Sequence, residues 1–235
     1  MFDAGSTIKI SMLKRKRTTK EPVTIESLIE GHKQRRAAIA ERLAEFREVG
    51  ETGDDVKLFE ELVFCIFTAG ASARMGMKCI EFVRPVLLTG SQEEIYQAIE
   101  GKHMYPKDRA RYIYLTREYL KEEFGLKMRQ KLDSFEDPQQ RRDYWAANPK
   151  VKGIGYKEGS HFLRNIGYKG YAILDKHVLR SLCELGVLGE VKPPTNKKRY
   201  LEIESQMKQF SDEIGIDFDE LDLVLWSAKT GEILK

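Results

Sequence analysis

A lysine and an aspartate eighteen positions apart, Lys157 and Asp175, stand in the stretch VKGIGYKEGSHFLRNIGYKGYAILDKHVLRSL, residues 151–182. A lysine ordinarily suits the last turn of a helix, where its charge complements the dipole, yet Lys157 falls in a first turn. The field there disfavours an ammonium, and a neutral lysine amine is a nucleophile suited to Schiff-base chemistry at a carbonyl-like carbon. The plainer reading is a solvated surface lysine. Asp175 also has two readings. Directly before KHVLRSL it makes a good N-cap. The same position keeps its carboxylate ionised, as a general base or a stabiliser of positive charge requires.

Gly153, Ile154 and Gly155 lie between two helical patterns, RRDYWAA before and KEGSHFLRNI after. Glycine there permits positive φ and close approach of the backbone. The following helix leaves its first N–H groups unpaired, which with the dipole makes a site for a phosphate oxygen. Lys152, Gly153, Ile154 and Gly155 are therefore candidates for gripping a nucleic-acid backbone, in the manner of a helix–hairpin–helix. Gly-x-Gly alone is equally a plain tight turn. A helix from Tyr156 to about Asn165 advances roughly 14 Å. The connection IGYKGYAIL reaches about 30 Å if extended, enough to return Asp175 to the mouth near Lys157.

The elements around this stretch read as helices. From Thr24 apolar residues recur at three- and four-residue steps until GETGDD breaks the pattern. LFEELVFCIFTAG is apolar nearly all round and is expected to be a core helix. Ser91 with Glu94 makes a capping box, and Gly125, Gly215 and Gly231 end later helices. No stretch alternates with period two over a strand length. The fold class is all-α, with about nine helices.

The chain has 235 residues, 41% hydrophobic and 33% charged, with a formal net charge of +3. This suits a globular protein and excludes wholesale disorder. No apolar run approaches the roughly 20 residues of a membrane span, and the N-terminus has no signal-peptide pattern, so an intracellular protein is expected. Three widely spaced cysteines, Cys65, Cys79 and Cys183, suggest neither a disulfide framework nor a zinc or iron–sulfur site. Residues 1–22, with KRKRTTK, read as a flexible basic tail.

GIGYKEGSHFLRNIGYKGYAILDKHVLRSL closely resembles the signature of the archaeal-type 8-oxoguanine DNA glycosylases, within the helix–hairpin–helix superfamily. The resemblance extends more loosely from about Phe59 to DLVLWSAKTGEILK. It implies two helical subdomains flanking a cleft: 55–165, ending in the hairpin at about 141–165, and 23–54 joined with 166–235. It implies a bifunctional N-glycosylase and abasic-site lyase, with Lys157 as nucleophile and Asp175 as catalytic aspartate. Base recognition falls to Lys235 and Trp226, with Met104 and Tyr105 on the opposite wall; Trp226 reads equally as a core residue. Backbone carbonyls of Val151 and Ile154 would hold a monovalent cation. No redox or nucleotide cofactor is implied, nor a protein partner; the partner is double-stranded DNA containing an oxidised purine.

Three positions depart from the group. Lys152 stands where proline is usual, Thr68 to Ser72 (TAGAS) replaces a Thr-Pro-Gln-like stretch, and Gly159 replaces alanine. Two other readings stay open. One keeps the chemistry but takes another oxidised base, as endonuclease III-like enzymes do; the other is a non-catalytic helix–hairpin–helix DNA-binding module.

Overall fold

In the computed structural model, which describes residues 21–234, every regular element among the described residues is a helix. Eleven α-helices follow one another: α1 (Ile25–Thr52), α2 (Asp55–Thr68), α3 (Ala73–Val83), α4 (Gln92–Ile99), α5 (Pro106–Phe124), α6 (Met128–Asp133), α7 (Pro138–Ala146), α8 (Tyr156–Asn165), α9 (Lys176–Glu184), α10 (Lys197–Ile214) and α11 (Phe218–Thr230). The basic cluster at Lys14 to Lys20 lies outside the described residues.

Local chemistry sets most boundaries. The Thr24 hydroxyl accepts from the Ser27 N–H at 3.2 Å and the Ser27 hydroxyl accepts from the Thr24 N–H at 2.9 Å, closing the start of α1. Ser91 and Glu94 form the expected box on α4. Gly125, Gly215 and Gly231 adopt left-handed conformations just beyond α5, α10 and α11.

Two helices, α3 and α6, go beyond those expected from the sequence. α3 carries Gly76 in its interior, which argues against a helix on propensity alone. The glycine is needed where α3 meets α2, because a Cβ there would lie 2.8 Å from Thr68 Cγ2 and 3.0 Å from Phe64 Cε2. α6 has only 6 residues. It is held from outside: Asp55 accepts from the Arg129 N–H at 2.8 Å, and the Arg129 guanidinium donates to Gly50 O at 2.6 Å.

Apolar side chains gather in two clusters. The first surrounds α2, buried along its whole length from Leu58 to Thr68, and includes Ile95, Ile113, Trp145, Phe162 and Leu163. The second joins Leu28 and Ile39 of α1 to Ala172, Leu174 and residues of α9, α10 and α11. Burial of these side chains supplies the main folding drive. α8 lies at the junction: Phe162 and Leu163 enter the first cluster, while Arg164 Nη1 reaches Asp222 Oδ2 of α11 at 3.1 Å.

This ion pair is buried on both sides. Burial pushes the Asp222 carboxyl up to about 6, with the Arg164 charge opposing the shift; burial likewise pulls the guanidinium down. A carboxyl raised on folding stabilises the native state below its unfolded value, and that contribution is lost as pH rises through the folded value. The stability difference between the parent and Asp222→Asn should therefore move in the variant's favour between about pH 4 and about pH 7. Urea denaturation across this range checks it; a difference independent of pH would contradict it.

Candidate active site

The hairpin is built by α7, the turn at 147–155 and α8. Asp137 starts α7 by accepting from the Gln139 and Gln140 N–H groups at 2.6 and 3.0 Å. In the turn, the Lys152 N–H donates to Thr116 Oγ1 of α5 at 2.8 Å, anchoring the hairpin to the first core. Gly153 has φ +76°, and a Cβ there would sit 2.7 Å from the Tyr112 ring. Glycine is required at Gly153 for two reasons, a left-handed backbone and a close aromatic neighbour. Gly159 serves a related purpose. A Cβ on it would lie 3.0 Å from Ala146 Cβ, so the helix propensity given up there accompanies close packing of α8 on α7.

Lys157 occupies the second position of α8, behind the Gly155 N-cap, with its side chain 26% exposed. Its partner is Glu158, a residue that the sequence reading passed over. The ammonium Nζ lies 2.9 Å from Glu158 Oε1, while Glu158 Oε2 accepts from the Gly155 N–H at 3.3 Å. One carboxylate thus holds the lysine and covers an N–H at the helix start. A glutamate three places after an N-cap is a readable capping signal.

Asp175 is the N-cap of α9, and Oδ1 accepts from the His177 and Val178 N–H groups, each at 2.8 Å. Its plain structural reading therefore holds. Among the described residues no ion pair or hydrogen bond joins it to Lys157. The segments carrying the two residues both touch Tyr200 of α10. The ring of Tyr156, next to Lys157, lies 5.5 Å from that of Tyr200 on α10, and the Leu174 N–H, next to Asp175, donates to the Tyr200 oxygen at 3.4 Å.

Trp226 on α11 is half-buried at the edge of the second core, edge-on to His177 with ring centroids 6.4 Å apart. His177 therefore stands between Asp175 and Trp226. Burial pulls its pKa down, with the Asp175 charge opposing. Lys235 lies outside the described residues. Three positions earlier in the sequence, Glu232 pairs with Arg74 of α3, linking the segment after α11 to the helix that packs on α2.

Met104 and Tyr105 lie between α4 and α5, 63% and 47% exposed. His103 pins them. Its Nδ1 accepts from the Tyr105 N–H at 3.0 Å, which assigns the proton to Nε2, the donor to Phe67 O at 2.9 Å. Behind Tyr105 the Arg109 guanidinium lies 5.8 Å from the rings of both Tyr105 and Tyr112 and donates to Ala69 O. Burial lowers the Arg109 pKa, and Glu158 is among the charges that oppose this. Arg109 and Tyr112 thus connect the Tyr105 loop, the departing TAGAS loop and the hairpin. Sequence reasoning missed both, because their partners come from distant parts of the chain.

Val151 and Ile154 are buried, and among the described residues no protein donor reaches their carbonyl oxygens, so both remain available as hard oxygen ligands. Among the described residues no cluster of His, Cys, Asp or Glu could hold a metal ion, and no helix is long and apolar enough to cross a membrane. A cavity of about 200 Å³ lined by Arg47, Arg129 and Tyr168 among others contains none of the predicted site residues.

A chain whose described elements are all helices, with a glycine hairpin opening onto a first-turn lysine and an aspartate N-cap after it, has the architecture of the helix–hairpin–helix DNA glycosylases. Residues 39–216 match the family Ogg-HhH, 8-oxoguanine DNA glycosylase. The 8-oxoguanine DNA glycosylase/AP lyase of Korarchaeum cryptofilum is 40% identical over 190 residues, 80% of this chain and 88% of that protein. The enzyme of the same name from Methanocaldococcus jannaschii is 35% identical over 198 residues, 84% and 91% of the two chains. The crystal structure of the M. jannaschii glycosylase/lyase with a 15mer DNA containing 8-oxoguanine superposes with TM-score 0.81 at 33% identity, covering 90% of this chain and 99% of that one. That of the Thermotoga maritima 8-oxoguanine DNA glycosylase gives 0.80 at 33% identity, covering 90% and 98%. The chain belongs to the 8-oxoguanine DNA glycosylase family.

The hairpin yields a direct test. Gly153→Ala would place a side chain at positive φ against Tyr112 and should cost roughly 1–3 kcal/mol. A thermal melt of the variant reads it, and an unchanged midpoint would contradict the reading.

Proposed function

We propose that this protein excises 8-oxoguanine from double-stranded DNA through a covalent lysine intermediate and then nicks the strand at the abasic site. The observation carrying this reading is the place of Lys157: second in α8, directly behind Gly153 and Gly155, in a chain matching the family over residues 39–216.

The glycosidic carbon is out of reach inside the base stack, so the damaged nucleotide must swing out of the duplex. The hairpin N–H groups and the start of α8 take the DNA phosphate, helped by Lys152. A monovalent cation on the Val151 and Ile154 carbonyls would supply fixed positive charge beside that phosphate. Lys157 must leave Glu158 and present an unprotonated amine. Nζ then attacks C1′ as the C1′–N9 bond breaks, and the bonding pair departs with the base, which takes up a proton. The carboxylate of Asp175 stabilises the positive charge developing on the sugar and assists proton transfer. The sugar ring opens to a Schiff base on Nζ. Loss of a C2′ proton then expels the 3′ phosphate by β-elimination, and hydrolysis of the imine frees the lysine.

The extruded base must be told from guanine chiefly at N7, a donor in the oxidised purine, so the pocket requires an acceptor there. Trp226 offers a partly exposed aromatic face for stacking, and Tyr105 and Met104 an exposed opposing wall. Lys235 is assigned to base reading on the family resemblance.

With a duplex carrying one 8-oxoguanine, the expected products are free base and a strand cut 3′ to the lesion. Asp175→Asn should bind that duplex like the parent but release base at least about 100-fold more slowly under single turnover. Unchanged turnover would reduce Asp175 to its capping role, and an intact strand with the parent protein would overturn the proposed activity.

A further inference from the structure

The segment from Tyr171 to Leu174 is buried and belongs to no helix or strand, so its backbone polar groups must find partners outside a regular ladder. The Ile173 carbonyl accepts from the Asp175 N–H at 2.8 Å, and three other groups are taken by two side chains four residues apart on one face of α10. The Ala172 N–H donates to Glu204 Oε2 at 2.9 Å, Tyr200 donates to Ala172 O at 2.6 Å, and the Leu174 N–H reaches the Tyr200 oxygen at 3.4 Å. Asp175 follows directly. Its own cap bonds join it to α9 and do nothing to place α9 against α8.

The same two side chains reach the helices of the hairpin, Tyr200 to α8 and Glu204 to α7. Tyr200 Oη lies 3.3 Å from Ser160 Oγ of α8, and its ring packs on Tyr156. Glu204 accepts from Arg142 Nη1 and Nη2 at 2.6 and 2.9 Å, and Arg142 Nη1 also donates to Ser160 Oγ at 3.3 Å. A phenol has one proton. The short bond to Ala172 O claims it, so Ser160 donates to Tyr200 and the bonds run in one direction from Arg142 to the Ala172 carbonyl. Burial raises the Tyr200 pKa well above its usual value, which keeps that proton in place.

We infer that Tyr200 and Glu204 are positioning residues that fix Asp175 in register with Lys157. The inference rests on the roles proposed above for these two residues, and it concerns geometry alone: neither Tyr200 nor Glu204 touches the reacting atoms. Displacement of a group by about 1 Å can cost as much as about 100-fold in rate, so loosening either peg reaches the chemistry through Asp175.

The test is a double-mutant cycle read by single-turnover base release from an 8-oxoguanine duplex. Tyr200→Phe removes the hydroxyl while keeping the ring, and Glu204→Gln keeps the shape while weakening the Arg142 clamp; using both guards against one variant failing to fold. Each should slow base release about tenfold or more, with the dissociation constant for the lesion duplex within about twofold of the parent. Placed on top of Asp175→Asn, each should change the residual rate by less than about twofold, because groups that act as a unit are not additive. The same tenfold loss in both backgrounds, or a loss appearing in duplex affinity instead, would overturn the inference. A parent protein that releases no base, or an Asp175→Asn variant as fast as the parent, would instead remove the proposed function or the aspartate's role, and this inference with it. An active parent, an impaired Asp175→Asn and additive losses would sink the positioning role alone.

Discussion

The buried guanidinium of Arg142 holds together the parts that the chemistry needs. It stands on α7, the first helix of the hairpin, and grips Glu204 of α10 with two nitrogens while the rings of Tyr156, Tyr171 and Tyr200 surround it at 5.3 to 5.6 Å. Removing one partner of such a pair typically costs about 3–5 kcal/mol, because the other charge stays buried and uncompensated. Burial works against the Arg142 charge, and the Glu204 carboxylate, with Tyr200 and Tyr171 adding to it, leaves the guanidinium pKa raised. One pair, buried at the arginine and part-buried at the glutamate, therefore orders the hairpin, the first turn of α8 and the segment leading to Asp175.

The start of α8 carries a second constraint. A helix N-terminus attracts anions, and here Glu158 supplies one from within the chain, capping Gly155 and pairing with Lys157. A phosphate drawn to the hairpin competes for the same N–H groups. In the proposed reaction, phosphate binding and release of the lysine from Glu158 would then be linked steps. Gly153 completes the arrangement, since only a residue without Cβ lets the hairpin backbone sit against Tyr112.

Much of this was legible in sequence because it is local. The all-helical class followed from periodicity, and the box at Ser91 and the ends at Gly125, Gly215 and Gly231 followed from cap chemistry. Asp175 was readable as a cap for the same reason. What escaped depends on contacts distant in the chain. Arg142 and Glu204 are separated by 62 residues, Arg109 and Ala69 by 40, and no spacing rule joins them. α3 hid because Gly76 serves its packing against α2 rather than its propensity, and α6 because it is too short to show a period. Glu158 was the avoidable miss, since its place three residues after the N-cap is itself a signal.

A lysine amine beside the hairpin, bonding covalently to deoxyribose, is the claim on which the account rests. Borohydride reduction during reaction with an 8-oxoguanine duplex, followed by peptide mass spectrometry, tests it most directly. The account predicts a protein–DNA adduct on Lys157 that is absent from Lys157→Gln. An adduct on another residue, or one that survives the substitution, would contradict it.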